Sequence, residues 1–303
     1  MRFSIIIIHR NGEKRLLRLL NSIYAAIESN DEVIIIDNNS PDKSIEKVQQ
    51  NKKFKDFIYI LNSCNLGYGS AANKGIKISK GKFILILNND LVFNQNFLSL
   101  FEQTFDSFPD AGMVTGQLYD LNKKIKSTAH NNPSFSSELG FSKPKKFSFK
   151  GISQIENMTG ACIAVRKSML AETGAYDEDF FFYFEETEWC MRIKKFNWKI
   201  YLNPDIQIFH EGGGSTKEVL FPARMEFLRS RKIFWRKVFP SYQYKILSIT
   251  FILKLFFRIV FYLCMFIISF GLNKRFAYKL KEKVLLLIFI SMGMPIKWCI
   301  PRE

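Results

Sequence analysis

The sequence predicts an α/β fold, with a mostly parallel central sheet flanked by helices and a C-terminal helical extension. Three observations carry that expectation. First, short unbroken apolar runs each stop on polar residues: Ile5–Ile8 before His9-Arg10-Asn11-Gly12, Val33–Ile36 before Asp37-Asn38-Asn39-Ser40, and Phe83–Leu87 before Asn88-Asn89-Asp90. Such runs, partly β-branched, suit strands buried on both faces. Second, segments at helical spacing separate them, which is the strand–helix–strand rhythm of a parallel sheet. Third, the late part of the chain turns basic and very apolar, so two regions are expected, 1–222 and 223–303.

At 303 residues the chain is long enough for one large domain and an appendage. A hydrophobic fraction of 47% argues against disorder, and a net charge of +16 points to an anionic partner: nucleic acid, an anionic membrane surface or a phosphorylated substrate. Cys64, Cys162, Cys190, Cys264 and Cys299 form no CxxC pair, so no zinc or redox motif is expected and the thiols read as reduced, in a cytosolic setting. Ile5–Ile8 is too short for a signal-peptide core and reads as the first strand.

Taken in order, Phe3–Ile8 is a strand, and Asn11-Gly12 ends it and opens a helix striped by Leu16, Leu20, Ile23 and Ile27. Val33–Ile36 is a second strand, followed by a helix from Ser44 to about Gln50 and a strand over Phe57–Leu61. Asp37 falls at a strand's C-terminal tip, where open α/β sheets bind ligands. It suits a nucleotide's ribose or base donors, and equally a helix N-cap or an Asx-turn. In Asn65–Gly75 small residues let a helix start close to the sheet, where its first amides would favour a diphosphate. A third glycine of the dinucleotide fingerprint is missing, and so is a GxxxxGK[ST] loop.

Lys82–Phe93 is the central stretch. Asp90, a lone carboxylate flanked by amide oxygens past a buried strand, suits a hard divalent cation holding a diphosphate; the same triplet also suits a turn. Phe97, Leu98, Phe101 and Phe105 predict an amphipathic helix ending near Pro109, and Ala111–Tyr119 a strand. Leu121–Gln154, rich in Lys, Ser and Asn, is either an acceptor-side loop or a variable surface loop. Met158–Val165 is a small-residue turn running into a strand. After the aromatic run Phe180–Phe184, a helix carries Glu185, Glu186 and Glu188 in its first turn. Acids there complement the helix dipole. An aromatic wall that buried one of them would raise its pKa and make it a general base. Ile200–Pro204 and Ile206–Phe209 are strand-like and end at His210, before glycines that can hinge a loop; neutral imidazole can join a carboxylate on Mn²⁺ or a similar ion.

Arg224–Lys237 carries six basic residues against Glu226, with aromatics interleaved. No nucleic-acid motif accompanies it, so no nucleic-acid partner is expected, and a bilayer surface fits better. Ile246–Leu272 is interrupted by Lys254 and Arg258, and Val284–Ile296 is short, so neither is a clean run of ~20 apolar residues. The expectation is helices lying in or against the cytoplasmic leaflet of the inner membrane; a membrane-inserted hairpin and a soluble helical cap are the alternatives.

Six motifs stand in order over the first three quarters of the chain: Val33–Asp42 (VIIIDNNSPD), Asn65–Gly75 (NLGYGSAANKG), Ile84–Leu91 (ILILNNDL), Thr159–Arg166 (TGACIAVR), Gly174–Arg192 and Pro204–His210 (PDIQIFH). Together they resemble the inverting glycosyltransferases of family 2, with the Rossmann-like GT-A fold, and especially the rhamnosyltransferase-like branch that builds bacterial surface polysaccharides such as O-antigen or capsule. The resemblance implies a nucleoside-diphosphate sugar donor, dTDP-rhamnose or a UDP-hexose, and a lipid-linked or surface-glycan acceptor. It implies a divalent metal, Mn²⁺ or Mg²⁺, on Asp90 and His210, with Asn88 in the first position of the DxD-type motif. Asp37, Asn39, Asn65, Gly67, Asn73 and Asn88 would serve the donor nucleotide, and Glu186 would be the catalytic base. The branch commonly has Asn-Pro-Asp at Asn88-Asn89-Asp90, Glu-Asp at Glu185-Glu186, and Asn-Tyr-Asn at His9-Arg10-Asn11. A catalytically impaired glycan-binding or scaffold protein of the same fold, or a nucleotidyltransferase, are the other classes these residues allow.

Overall fold

The computed structural model describes residues 1–94, 96–142, 147–212, 220–270 and 272–302. The chain packs as two units, Met1–Asn132 with Pro144–Glu218 and Arg302–Glu303, and Pro133–Lys143 with Val219–Pro301. The second unit therefore starts slightly before the boundary expected at residue 222, and it takes in a segment that the sequence left in a loop.

The first unit opens with β1 (Phe3–His9), α1 (Glu13–Tyr24), β2 (Glu32–Asp37), α2 (Ser44–Gln49), β3 (Ile58–Leu61) and α3 (Tyr68–Ile78). Then come β4 (Phe83–Asn88), β5 (Leu91–Phe93), α4 (Phe97–Ser107), β6 (Ala111–Tyr119) and β7 (Ala129–His130). After α5 (Phe135–Leu139), which belongs to the second unit, follow β8 (Ser153–Ile155), β9 (Asn157–Met158), β10 (Cys162–Arg166), α6 (Met169–Thr173), α7 (Glu185–Lys194) and β11 (Lys199–His210). The main sheet has nine strands in the order β3-β2-β1-β4-β10-β6-β11-β5, with β8 also on β11. Strands β1, β2, β3, β4, β6 and β11 run one way, and β5, β8 and β10 run against them. The sheet is thus mostly parallel.

The unbroken apolar runs are explained by burial on both faces. Along β1, Phe3, Ile5 and Ile7 enter one cluster with Leu16, Leu20 and Phe101, while Ile6 and Ile8 enter another with Ala71, Ala72 and Trp189. Successive side chains alternate between the faces, so a strand covered on both sides must be apolar throughout. Helix α3 lies very close to β1. A Cβ built on Gly75 would sit 2.6 Å from Ile6 Cγ2.

Register then aligns the strand tips. His9 pairs with Asp37 across β1 and β2, and Ile8 pairs with Asn88 across β1 and β4. β5 turns back antiparallel to β11, setting His210 opposite Leu91. Three expectations change. The two strand-like pieces after residue 199 are one strand, β11, with a register shift between Asn203 and Gln207, and an irregularity of that kind is where a strand tolerates a proline such as Pro204. The 121–154 segment holds β7, α5 and β8 rather than a structureless loop. The glycine hinge after Gly212 lies outside the described residues.

The second unit contains α5, α8 (Leu220–Val238), α9 (Ser241–Ile268) and α10 (Lys274–Ser291). Met225, Leu255, Leu286, Phe289, Met294 and Cys299 form its small core. Lys254 and Arg258 do not break α9, which runs for 28 residues and is long and apolar enough to cross a membrane by length and composition. Only 6% of its most apolar stretch is buried. Phe256, Phe257, Phe261 and Ile267 are among the exposed side chains, an apolar face of the kind that marks a protein or membrane contact.

Gly75→Val is expected to destabilise the first unit by about 3 kcal/mol, since it forces added volume against Ile6 in a packed core. Urea denaturation checks this; a variant as stable as the parent would contradict the tight α3–β1 approach.

Candidate active site

The tips of β1, β2 and β4 build the floor of the site. His9 is fully buried. Burial pushes its pKa from 6.5 down to about 4, helped by Arg15 and opposed by Asp37 and Asp42. The ring is therefore neutral at pH 7. Its Nδ1 lies 2.8 Å from Asn89 Nδ2 and its Nε2 lies 2.6 Å from Ser44 Oγ. The Asn89 amide can only donate, so Nδ1 accepts and Nε2 carries the proton. Asn89 Nδ2 also donates to the Asn11 carbonyl at 2.9 Å. Two of the departures from the family pattern, at residues 9 and 89, are thus hydrogen-bonded partners that tie the β4–β5 turn to the tip of β1.

Asp37 accepts from the Ser40 amide at 3.2 Å and from the Ser40 hydroxyl, which makes it a turn residue as well as a strand-tip carboxylate. Asn39 stands beside it at a left-handed φ of 62°, its side chain making no hydrogen bond to a described residue. Asn38, which sequence reasoning passed over, is the hub of the loop. Its Nδ2 donates to Asn65 Oδ1 at 2.8 Å and to the Gly67 carbonyl at 3.1 Å, while its Oδ1 accepts from the Leu66 amide and Asn62.

The α3 start differs from expectation. Gly67 has φ +83°, and a Cβ there would sit 2.2 Å from the Phe181 carbonyl oxygen, so only glycine fits. That carbonyl accepts from the Tyr68 amide at 2.9 Å. The first amide of α3 is therefore bound by the aromatic run rather than open to a diphosphate. Asn73 joins the same seam, donating to the Tyr176 carbonyl and Glu178 Oε1, both at 2.9 Å, and accepting from the Tyr176 amide. Asn65 and Asn73 thus spend their amides on holding loops together, and Gly67 is demanded by packing.

Asp90 follows in the β4–β5 turn. Its Oδ2 accepts from the Gly212 amide at 3.1 Å, and its Oδ1 faces His210 Nε2 at 3.3 Å. Oδ1 is buried and forms no hydrogen bond with a described residue. Burial pushes the carboxyl's pKa up, but His210, the Gly212 amide and Arg15 together pull it below the usual value. Lys126 Nζ donates to the His210 carbonyl at 2.7 Å, which adds a cation at the end of β11. Among the described residues no group of three His, Cys, Asp or Glu side chains could hold a metal ion.

Glu186 reaches the same region through β10. The Asn88 amide donates to the Ala161 carbonyl at 3.0 Å. A Cβ on the neighbouring Gly160 would lie 3.3 Å from Glu186 Cβ and Cγ. Tyr68 Oη donates to the Gly160 carbonyl at 3.2 Å, and its pKa is pushed well above the usual value by burial first, then by Glu185, with smaller contributions from Cys162, Glu186 and Asp90. Burial raises the Glu186 carboxyl above its ordinary 4.5, against the pull of the amides of residues 186 and 187. Of its neighbours on α7, Glu188 is paired with Arg192 at 2.9 Å. The residues before the helix, Tyr183 and Phe184, both stand at φ 70°, a costly backbone for two non-glycine residues and one that clusters at functional sites.

Two further cations were missed in the sequence. Arg10 Nη1 donates to the Asn38 carbonyl at 3.0 Å. Arg15 influences both His9 and Asp90, and its guanidinium occupies the space a Gly12 side chain would fill. The Asn11-Gly12 pair that ends β1 was the available signal, since glycine permits the positive φ found there.

His9→Asn and Asn89→Ala should each destabilise the protein, with a coupling of about 1–2 kcal/mol in a double-mutant cycle; additive effects would deny the link. His9 also sets a pH dependence. Its folded pKa lies below its unfolded one, so the unfolded chain binds more protons between pH 6.5 and about 4, and stability falls as pH falls through that window. The His9 contribution is about 3 kcal/mol, read as a flatter acid decline in His9→Asn than in the parent.

Comparison with known proteins places the chain. The family model described as Glycosyl transferase family 2 matches residues 4–174, more than half of it. The chain is similar to the low-salt glycan biosynthesis hexosyltransferase Agl10 of Haloferax volcanii, 25% identical over 260 residues, 81% of this chain and 80% of that protein. It is also similar to an N-acetylglucosaminyl-diphospho-decaprenol L-rhamnosyltransferase of Mycobacterium tuberculosis, 23% identical over 224 residues, 66% of this chain and 72% of that one. Among solved structures, GalNAc-T7 with UDP, GalNAc and Mn²⁺ superposes with a TM-score of 0.60 at 15% identity, covering 80% of this chain and 50% of that chain, a likeness of fold alone. With its mixed sheet and strand-tip site, the chain belongs to glycosyl transferase family 2 and is a glycosyltransferase of the GT-A fold.

Proposed function

We propose that the protein is an inverting, metal-assisted glycosyltransferase. It moves a rhamnosyl or hexosyl group from dTDP-rhamnose or a UDP-hexose to a hydroxyl of a lipid-linked or surface-glycan acceptor. The observation that carries this reading is geometric: Asp90 stands beside His210 at the strand tips, and Glu186 lies against Gly160, whose neighbour Ala161 binds the Asn88 amide; the first carboxyl is held low and the second is raised by burial. Environments that split two acids in this way divide the work between charge stabilisation and proton transfer. Its relatives point in the same direction: one is a diphospho-decaprenol rhamnosyltransferase, and the GalNAc-T7 structure holds UDP with Mn²⁺.

The residues fit a divalent cation in part. Asp90 Oδ1, buried without a hydrogen bond to a described residue, and His210 are the two side chains that would hold it. When bound, the ion neutralises charge growing on the leaving diphosphate. Arg10, Arg15 and Lys126 supply fixed positive charge around the same strand tips. Asp37, Asn39 and Asn88 face the nucleotide, while Asn38, Asn65, Gly67 and Asn73 hold the loops that shape its pocket. Glu186 takes the proton of the acceptor hydroxyl as its oxygen bonds to the anomeric carbon, and the bond to the diphosphate oxygen breaks on the opposite face. One displacement inverts the centre. The exposed apolar face of α9 supports a place on the cytoplasmic face of the inner membrane.

Glu186→Gln should lower turnover by roughly 10²–10⁴-fold while leaving donor binding intact, measured by nucleoside-diphosphate release and calorimetry. Turnover equal to the parent would remove Glu186 as the base. The parent's rate should fall on the acid side through a pKa above the ordinary glutamate value, because the base must be ionised. Across a panel of nucleotide sugars with membrane extract as acceptor, release should require Mn²⁺ or Mg²⁺ and stop with EDTA; release that EDTA leaves untouched would exclude the metal.

A further inference from the structure

The second unit encloses a cavity of about 350 Å³ between α5, α8, α9 and α10, within the range of small-ligand sites. Its wall mixes apolar side chains, among them Leu247, Phe251 and Leu286, with the cations Arg224, Arg231, Lys254, Arg258 and Lys283. The local acids do not balance these charges. Glu138 is used by Arg231 at 2.8 Å and by Trp235 Nε1 at 2.6 Å. Glu282 is shared among Arg224, Lys279 at 3.7 Å and Lys283 at 3.5 Å. Lys254 donates to the Leu139 carbonyl at 2.6 Å, and Arg258 makes no hydrogen bond or ion pair with a described residue. Lys283 is only 6% exposed, and burial together with Arg224, Arg258 and Lys279 pushes its pKa down to about 8. Arg224, Lys254 and Arg258 reach solvent, while Arg231 is half-buried and Lys283 buried; like charge gathered around those last two is unfavourable unless an anion meets it.

The two charges that interrupt the apolar sequence of α9, Lys254 and Arg258, stand one turn apart and both line this cavity. The rest of α9 presents exposed aromatic and aliphatic side chains. A ligand with an anionic head and an apolar tail matches both surfaces. Free phosphate leaves the apolar wall unused, and an apolar chain alone leaves the cations unmet. We propose that this cavity binds the negatively charged phosphate or diphosphate headgroup of a membrane lipid, whose hydrocarbon chain leaves along α9. The proposal rests on the reading of the second unit as membrane-facing and deepens it by naming the group recognised.

The test uses the full chain and vesicle flotation. Phosphatidylcholine vesicles are compared with vesicles carrying an equal fraction of phosphatidylglycerol or of a polyprenyl diphosphate. The parent should bind at least one anionic type about tenfold more tightly than phosphatidylcholine alone, and which one it prefers identifies the source of the headgroup. The double variant Arg258→Gln/Lys283→Gln should lose that preference. The double variant Lys274→Gln/Lys281→Gln, with the same charge change at exposed positions outside the cavity, should keep it, and so should Arg258→Lys/Lys283→Arg. Equal loss in both Gln pairs would reduce the effect to general surface charge and overturn the proposal, as would a parent with no preference. Donor hydrolysis and nucleotide binding measured on the same proteins depend on the first unit. They tell a failure of the cavity from a failure of the transferase reading, and they report folding.

Discussion

Burial of β1, β2 and β4 on both faces is the constraint on which the rest depends. Every side chain of β1 and β2 is buried, and beyond the Ser4–Glu32 pair at their starts the strands carry only isoleucine and valine until their C-terminal tips. Parallel register then makes the three strands end together, at His9, Asp37 and Asn88. The floor of the site is the first level at which a side chain is released from packing. The apolar runs hold it in place from below, and the strand-tip residues need little scaffolding of their own.

Much of this was legible in the sequence because it depends on local pattern. A run such as Phe83–Leu87 that stops on Asn88-Asn89-Asp90 states both the strand and its tip. The Asp90–His210 approach was foreseeable because Asp90 follows a strand tip and His210 closes a strand. Direction was not legible: β10 is as apolar as β4 yet runs against it, and composition carries no sign of polarity. Pro204 disguised a single strand as two, because a bulge restores continuity that a local reading breaks. Asn38 and Arg15 were missed for a different reason. One lies in a loop and the other in the first turn of α1, and their through-space partners, Asn62, Asn65 and Asp90, sit tens of residues away in the chain. The Pro133–Lys143 segment lacks a periodic stripe, so nothing local announces that it packs with α9.

The departures from the family pattern acquire a physical sense in three dimensions. His9 and Asn89 replace residues that are far apart in sequence, and they meet in one hydrogen bond at the tip of β1. A histidine held neutral by burial can serve as the acceptor that the asparagine needs, and the asparagine in turn fixes the turn that carries Asp90. Read singly, each substitution looks like a weakened motif. As a pair they are an alternative way of anchoring the same carboxylate.

The Phe181 carbonyl has a consequence of another kind. It binds the amide that begins α3, lies against the bare Cα of Gly67, and belongs to the segment that leads into the helix of Glu186. The loop that opens α3 and the segment that leads into α7 are therefore pinned at one atom. Any side chain at position 67 would press on that atom, so a single change there would be felt on both sides of the pin at once.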